Sequence, residues 1–221
     1  EYGKTYHSYE SGTVEDKHLS LFVTGNRHAE HWKGTNDTTD FFYLKGIVQA
    51  VLDRLGINRG RTATVKNDIF SEAVGIQLGK TKLVEYGAVK KSILKKFNLS
   101  QDVFYADFNW DNIIEVAKRN KIKFQPIPKY PSVRRDFALL LDTSTRFEEI
   151  HTIAKQTEKQ LLKDIQLFDV YEGKNLPEGK KSYAVSFLLQ DEHKTLTDKQ
   201  IDKVMSKLQQ RFEKELGASL R

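Results

Sequence analysis

A small group of side chains in the last third of the sequence has the chemistry to bind a flat, polar ligand. Asp169 and Tyr171 alternate with apolar residues, so a strand through them places both side chains on one face of a sheet. A carboxylate accepts hydrogen bonds from the edge of an unpaired base, and a base stacks on a tyrosine ring. The pattern therefore predicts a surface that can hold a base, although a plain solvated sheet face would show the same alternation.

Other candidate groups predict no catalytic or metal site. His28 and His31 are three positions apart, but no third ligand follows at a useful spacing, so we expect no metal. Asp136 and Asp142 belong to a strand and its exit turn, which argues against paired acid/base catalysis. The sequence also lacks Gly-x-Gly-x-x-Gly, Gly-Lys-Ser/Thr and Gly-x-Ser-x-Gly patterns. We expect no catalytic residue in this chain.

Composition narrows the class of protein. Of 221 residues, 38% are hydrophobic and 11% aromatic, which is enough apolar side chain for a core and excludes a disordered chain. The chain has no cysteine, which excludes disulfides, cysteine-ligated zinc and thiol catalysis. A net charge of +6 allows an anionic partner such as nucleic acid but does not require one. No apolar run approaches the roughly 18 residues of a membrane helix.

A proline cluster divides the chain. Three of the four prolines lie in the segment Gln125-Pro-Ile-Pro-Lys-Tyr-Pro131, and proline is excluded from helix interiors and central strands. We therefore predict two domains, residues 1–127 and 128–221. The segment from Glu1 already alternates like a strand, without an initiator methionine, so we expect the chain to be part of a longer protein.

The first domain reads as mixed α and β. Asp40–Leu55 predicts a helix, because its apolar residues recur at three and four, Asp40 can cap its start and Gly56 can end it. The remaining elements are predicted to be strands near Leu19–Thr24, Ile69–Leu78, Lys82–Tyr86 and Val103–Phe108, with short helices at Lys90–Phe97 and Asp111–Arg119.

The second domain has the order βαββαβ, which is the ferredoxin-like arrangement of a four-stranded antiparallel sheet with two helices on one face. Thr145 and Glu148 form one predicted capping box, and Thr197 and Gln200 form a second. The strands are predicted at Val133–Leu141, Ile165–Tyr171, Ser182–Leu189 and Ala218–Arg221.

Alternation assigns the strand residues to two faces. The bulky set Tyr183, Val185, Phe187 and Leu189 should face the helices. On the preceding strand, the same rule places Phe168 and Val170 toward the helices and Leu167, Asp169 and Tyr171 on the other side. We call that other side of the sheet the open face. Small side chains should surround Tyr171 on it: Ala138, Ser182 and Ala184.

Five segments in this order resemble the C-terminal anticodon-binding domain of bacterial phenylalanyl-tRNA synthetase beta subunits. They are Lys129-Tyr-Pro-Ser-Val-Arg-Arg-Asp136, Leu167-Phe-Asp-Val-Tyr-Glu-Gly173, Gly179-Lys-Lys-Ser182, Thr195-Leu-Thr-Asp198 and Gly217-Ala-Ser-Leu-Arg221. In the first half, Trp32 and Asp40-Phe-Phe-Tyr-Leu-Lys-Gly46 look like the catalytic-like domain of the same family.

The resemblance implies an α+β fold: a class II synthetase-like antiparallel sheet domain without catalytic chemistry, followed by the ferredoxin-like domain. The whole enzyme of that family joins phenylalanine to its tRNA in the cytoplasm, using ATP and magnesium, as two alpha and two beta subunits. The alpha subunit carries the active site. The resemblance therefore implies tRNA-Phe and the alpha subunit as partners, no cofactor on this chain and no membrane.

Position by position, the resemblance carries over Ala138, Asp169, Tyr171, Ser182 and Arg221 as tRNA-binding residues. Phe124 is a weaker candidate from the same resemblance. Arg134 and Arg135 are candidates for a phosphate contact, since Arg135 lies at the beginning of a strand, where its head group can still reach solvent. Two alternatives remain open: a protein-interaction scaffold whose partner covers the open face, and a small-ligand regulatory module.

Overall fold

A computed structural model of the chain describes residues 1–29, 32–33, 37–120, 124 and 126–221. The chain forms two compact units, Glu1–Phe124 and Gln125–Arg221. The division falls at the beginning of the proline cluster, whereas the sequence places the boundary after Ile127. Within the described ranges, no helix is both long enough and apolar enough to cross a membrane.

The first unit is built on one six-stranded antiparallel sheet with the order β1-β2-β6-β5-β4-β3. Its elements are β1 (Tyr2–Tyr9), β2 (Gly12–Thr24), α1 (Phe41–Arg54), β3 (Arg61–Thr64), β4 (Phe70–Leu78), β5 (Thr81–Val89), α2 (Lys91–Lys96), β6 (Val103–Asn109) and α3 (Trp110–Arg119). The edge strand β3 was not predicted, because its four residues Arg61–Thr64 carry no large apolar side chain that would mark an alternation.

The helix predicted at Asp40–Leu55 is confirmed as α1. Asp40 accepts a hydrogen bond of 2.7 Å from the backbone N–H of Tyr43, which satisfies one of the unpaired donors of the first turn. Gly56 follows with a φ of +71°, a left-handed conformation that ends the helix. Three side chains on the inner side of α1 are fully buried against the sheet: Leu44, Val48 and Leu52.

The sheet face of the first unit that points away from α1 and α3 carries a ladder of polar side chains. Asp107 on β6 lies 2.9 Å from Nδ1 of His18 on β2, and Nε2 of the same ring lies 3.1 Å from Oγ1 of Thr5 on β1. Each group thus has a partner on the neighbouring strand. We call Thr5, His18 and Asp107 the polar ladder.

An aromatic stack lies on the same face, farther along β2 and β6. The ring of Tyr105 stacks on Phe22 with 4.6 Å between centroids and on Phe70 with 5.8 Å. Its hydroxyl lies 3.1 Å from Oγ of Ser20. Burial raises the pKa of Tyr105 above its ordinary value, since removal from water disfavours the phenolate. The aromatic stack is therefore part of the packing of this unit.

The second unit has the predicted βαββαβ order and one four-stranded antiparallel sheet, β10-β7-β9-β8. Its elements are β7 (Val133–Asp142), α4 (Phe147–Thr157), β8 (Leu162–Tyr171), β9 (Lys180–Leu189), α5 (Asp198–Leu216) and β10 (Ser219–Leu220). The ferredoxin-like arrangement is confirmed, and both helices pack on one face of the sheet through a single apolar core.

The core of the second unit follows the predicted alternation of β9. The four side chains assigned to the helix side are all buried: Tyr183, Val185, Phe187 and Leu189. They pack against the apolar side of α5, which begins at the predicted capping box, where the N–H of Thr197 donates to Oε1 of Gln200 at 3.2 Å. Gly217, with a φ of +59°, ends α5 as expected.

The capping box predicted for α4 is wrong by one residue. The helix begins at Phe147, and the backbone N–H of Arg146 donates to Oε1 of Glu149 at 2.8 Å, so Glu149 takes the position expected for Glu148. Thr145 is buried, and its N–H donates to the carbonyl of Asp142 at 3.0 Å. Thr145 therefore belongs to the turn after β7 and cannot serve as the cap.

Candidate functional site

The open face of the second unit brings together the residues that sequence reasoning selected. On the face opposite α4 and α5, Tyr171 of β8 lies beside Ser182 of β9. One step along the strands, Asp169 of β8 lies beside Ala184 of β9, and Ala184 lies beside Ala138 of β7. The four candidates on these three strands therefore form two adjacent rows across the sheet.

Arg221 extends the second row from the edge of the sheet. Its backbone N–H donates to the carbonyl of Ala138 at 2.9 Å, which continues the pairing of β10 with β7. The Arg221 guanidinium carbon lies 5.2 Å from the centroid of the Tyr171 ring. Because β10 and β8 are the two outer strands, this cation–π contact spans the face above the small side chains of Ala138 and Ala184. A bulky residue in that row would block it.

Gly173 fixes the space around the tyrosine ring. A Cβ atom added at Gly173 would lie 2.6 Å from the hydroxyl oxygen of Tyr171 and 2.7 Å from Cζ. Both distances are far shorter than van der Waals contact, so any other residue at this position would move the ring. This role was not predicted from the sequence, where Gly173 is only the last residue of the segment Leu167–Gly173 that resembles the family.

Three polar groups of the open face have no partner in the part of the chain that the structure describes. The Asp169 carboxylate and the hydroxyls of Tyr171 and Ser182 make no hydrogen bond or ion pair with another described residue. Ser182 is only 6% exposed, yet its oxygen is not a buried, unsatisfied atom. An acceptor and two hydroxyls are thus left available on one surface.

Strand β8 departs from strict alternation at Phe168, and two predictions are wrong for this reason. The register slips between Leu167 and Asp169, so Leu167 lies opposite Val185 and packs against the core instead of facing the open side. Phe168 has no partner on β9 and is 52% exposed. A β-bulge adds one residue to a strand, which changes the phase of the side chains that follow.

Phe168 lies on the open face. Arg134 alternates with Asp136 and Ala138 on β7 and therefore lies on the open face. Its guanidinium carbon lies 4.9 Å from the centroid of the Phe168 ring. Nε of Arg134 also donates to Oδ1 of Asp136 at 2.8 Å. Val170 lies opposite Tyr183 on the helix side, as predicted, but it is 48% exposed because the core does not extend to this end of β8.

The other sequence candidates lie elsewhere. Phe124 belongs to the first unit and is 89% exposed; its role in binding stays a prediction. Of the histidine pair, His31 lies outside the described residues. Asp142 forms an ion pair of 2.8 Å with Lys180 at the end of β7. Arg135 lies 3.7 Å from Asp198, at the start of α5.

Comparison with known families gives the open face a context. Residues 128–221 match the model of the ferredoxin-fold anticodon binding domain. Residues 1–110 match the CLM domain of the phenylalanyl tRNA synthetase beta chain. The chain belongs to the phenylalanyl-tRNA synthetase beta chain family. The second match begins at residue 128, close to the start of the second unit, whereas the first ends at residue 110, before the end of the first unit at Phe124. The predicted family is confirmed.

Curated relatives agree with the family models. A phenylalanine–tRNA ligase beta subunit of Bacteroides thetaiotaomicron is 47% identical over 94% of this chain, which spans 26% of that relative. The subunits of Porphyromonas gingivalis and Listeria monocytogenes are 42% and 31% identical, over 94% and 96% of this chain and 26% and 28% of their own lengths. The chain thus spans about a quarter of the beta subunits that it matches.

Among solved structures, a pyrrolysyl-tRNA synthetase from Desulfitobacterium hafniense matches with a TM-score of 0.39 and 16% identity. The match covers 53% of this chain and 40% of the synthetase chain. A likeness at this level carries no argument about the ligand. The argument about function therefore depends on the family and on the geometry of the open face.

Proposed function

We propose that this chain is the part of a phenylalanine–tRNA ligase beta subunit that holds the anticodon of tRNA-Phe on its open face. One observation carries the proposal: the domain that matches an anticodon-binding family has unpartnered groups at Asp169, Tyr171 and Ser182 on one sheet surface. Sequence-specific proteins read unpaired RNA bases by stacking and by hydrogen bonds to the base edges, and this surface offers both.

The residues of the open face have different roles in recognising the base. An unpaired base stacks on the ring of Tyr171, while Asp169 accepts hydrogen bonds from donors on the base edge. Ser182 both donates and accepts. Ala138 and Ala184 leave room for a flat group. In the free protein, the Arg221 guanidinium lies over the Tyr171 ring and has no carboxylate partner among the described residues. When a base stacks on the ring, the guanidinium leaves it and contacts a phosphate.

The first unit serves assembly in this proposal. It docks onto the catalytic alpha subunit of a cytoplasmic heterotetramer, and ATP and magnesium are used by the rest of the enzyme. This chain alone would neither activate phenylalanine nor attach it to tRNA. Phenylalanine-dependent ATP–pyrophosphate exchange by the pure chain, above a mock-purified control, would contradict this part of the proposal.

The test is a titration of the 221-residue chain with tRNA-Phe and with the same tRNA carrying a foreign anticodon, at low and at high salt. We expect tighter binding of tRNA-Phe, and a loss of about five- to a hundredfold in affinity for Tyr171→Ala, from the value of one stacked base. The melting temperature should not change, since the ring lies outside the core. Unchanged affinity in a folded Tyr171→Ala variant would favour the scaffold alternative.

A further inference from the structure

We infer that the open face holds a second unpaired base, on a platform made by Phe168 and Arg134. The inference rests on the proposed function and extends it by a further nucleotide site. The bulge in β8 carries the argument, because it turns onto the open face the Phe168 ring that strict alternation would have placed on the helix side.

The platform is a layered pair of flat groups. The Phe168 ring is half exposed, and the Arg134 guanidinium lies over it with 4.9 Å between the guanidinium carbon and the ring centroid. Asp136 holds that guanidinium by a hydrogen bond of 2.8 Å to Nε. RNA bases stack on arginine planes as well as on aromatic rings. With Asp136 fixing it, Arg134 forms the outer layer of the platform, and a base stacks on the guanidinium.

The platform differs from the pair of Tyr171 and Arg221 in one respect that decides its role. Arg134 has a carboxylate partner on its own strand, whereas among the residues that the structure describes Arg221 is held only by its backbone and the ring contact. An arginine already paired with a carboxylate is retained on the ring. Arg134 is therefore assigned to stacking, and the phosphate contact expected from the sequence is assigned to Arg221.

The spacing of the two aromatic rings suits neighbouring nucleotides. Phe168 and Tyr171 lie three residues apart on β8, which corresponds to roughly 10 Å along an extended strand at about 3.3 Å per residue. Both rings project from the same face of a four-stranded sheet. Four-stranded RNA-binding sheets can stack two or three bases on their exposed aromatic side chains. The two rings therefore lie along the path that one RNA strand would take across the open face.

The experiment measures the affinity of the 221-residue chain for an anticodon stem–loop of tRNA-Phe. We expect Phe168→Ala to weaken binding by at most the roughly five- to hundredfold of one stacked base, because Arg134 loses the ring that supports its plane, and Phe168→Tyr to stay within about twofold. Val170→Ala is the matched control, since Val170 is equally exposed on the same strand but faces the helix side. Arg134→Lys keeps the charge and loses the plane, so it should weaken binding without changing the salt dependence.

A second set of stem–loops, each with one abasic anticodon nucleotide, identifies the base at each ring. For one of these RNAs, Phe168→Ala should cause no further loss, and for a different one Tyr171→Ala should cause none. If both substitutions cause no further loss of affinity for the same abasic RNA, the two rings bind one base and the inference is wrong. If Tyr171→Ala loses affinity and Phe168→Ala does not, the inference fails while the proposed function stands. If the unaltered chain does not bind the stem–loop, both fail.

Discussion

Each sheet of this chain has a face that points away from the helices of its main core, α1 and α3 in the first unit and α4 and α5 in the second, and the two faces differ. On the six-stranded sheet, the polar ladder pairs Asp107 with His18 across neighbouring strands, and the aromatic stack encloses Tyr105 between two rings. On the four-stranded sheet, the carboxylate of Asp169 and the hydroxyl of Tyr171 have no partner within the described residues. The polar groups of the first face pair with one another, whereas those of the second have no described partner and, in the proposed function, bind the ligand.

The difference separates structural residues from binding residues without reference to any relative. A hydrogen-bonded group on the first face contributes to the stability of the unit, and its removal leaves a partner unsatisfied. An unpartnered group on the second face has no hydrogen bond to another described residue to lose, so its substitution should cost little stability. The same substitution made on both faces should therefore change stability on one and binding on the other.

The largest expected contrast is between two tyrosines. Tyr105→Ala should lower the free energy of unfolding of the first unit by about 2–4 kcal/mol, because it removes a partly buried ring from the aromatic stack. Tyr171→Ala should change stability by no more than about 0.5 kcal/mol while tRNA affinity falls. Urea unfolding followed by circular dichroism reports on both units, and the fluorescence of Trp32 and Trp110, which both lie in the first unit, identifies the transition of that unit. Equal destabilisation by the two substitutions would contradict the comparison.

Two glycines, one in each unit, allow a second comparison of binding with stability. Gly173→Ala should lower tRNA affinity by about tenfold, a value within the range for a displaced stacking ring, because the new Cβ would collide with Tyr171. The loss should disappear in a Tyr171→Ala background. Gly46→Ala is the control: it lies exposed in α1 with open space around it, and should stabilise the first unit by roughly 0.5–1 kcal/mol without affecting binding. Additive losses at Gly173 and Tyr171 would show that the glycine acts elsewhere.

Two aspartates test the comparison through hydrogen bonding. Asp169→Asn should leave the melting temperature unchanged and reduce the discrimination between matched and foreign anticodons by about tenfold, since one bad pairing is worth about 1–3 kcal/mol. Asp107→Asn should lower the stability of the first unit by about 1 kcal/mol, because it weakens the bond to His18. Competition binding and thermal unfolding measure the two effects. A lower melting temperature for Asp169→Asn would mean that this carboxylate has a structural role.

The smallest expected effect is on the salt dependence of binding. Arg221→Ala should reduce the slope of log affinity against log salt by about one, as for the loss of one phosphate contact. Arg27→Ala should leave the slope unchanged, because Arg27 is paired with Asp40 at 2.6 Å in the first unit. Affinities at four or five salt concentrations are sufficient to measure both slopes. Identical slopes for all three proteins would remove Arg221 from the phosphate path.

Much of the second unit follows from the period of its apolar residues. The βαββαβ order, the inward set of β9 and the cap at Thr197 are all local patterns, and the sequence predicts each of them. The bulge at Phe168 could not be predicted in this way, because alternation assumes that the register never slips. The role of Gly173 depends on where the Tyr171 ring lies in the fold, and no local pattern contains that information.

In the proposed function, the contact between Arg221 and Tyr171 has a consequence for the kinetics and the selectivity of RNA association. Since the guanidinium covers the ring before any RNA arrives, a nucleotide must replace a contact worth about 0.5–2 kcal/mol before it can stack. Binding then proceeds in two steps: a charge-guided encounter, followed by an exchange on the ring. A base that stacks no better than the guanidinium gains nothing from the exchange and leaves quickly. The competition from the arginine therefore leaves slow dissociation only to RNAs whose other contacts are also correct.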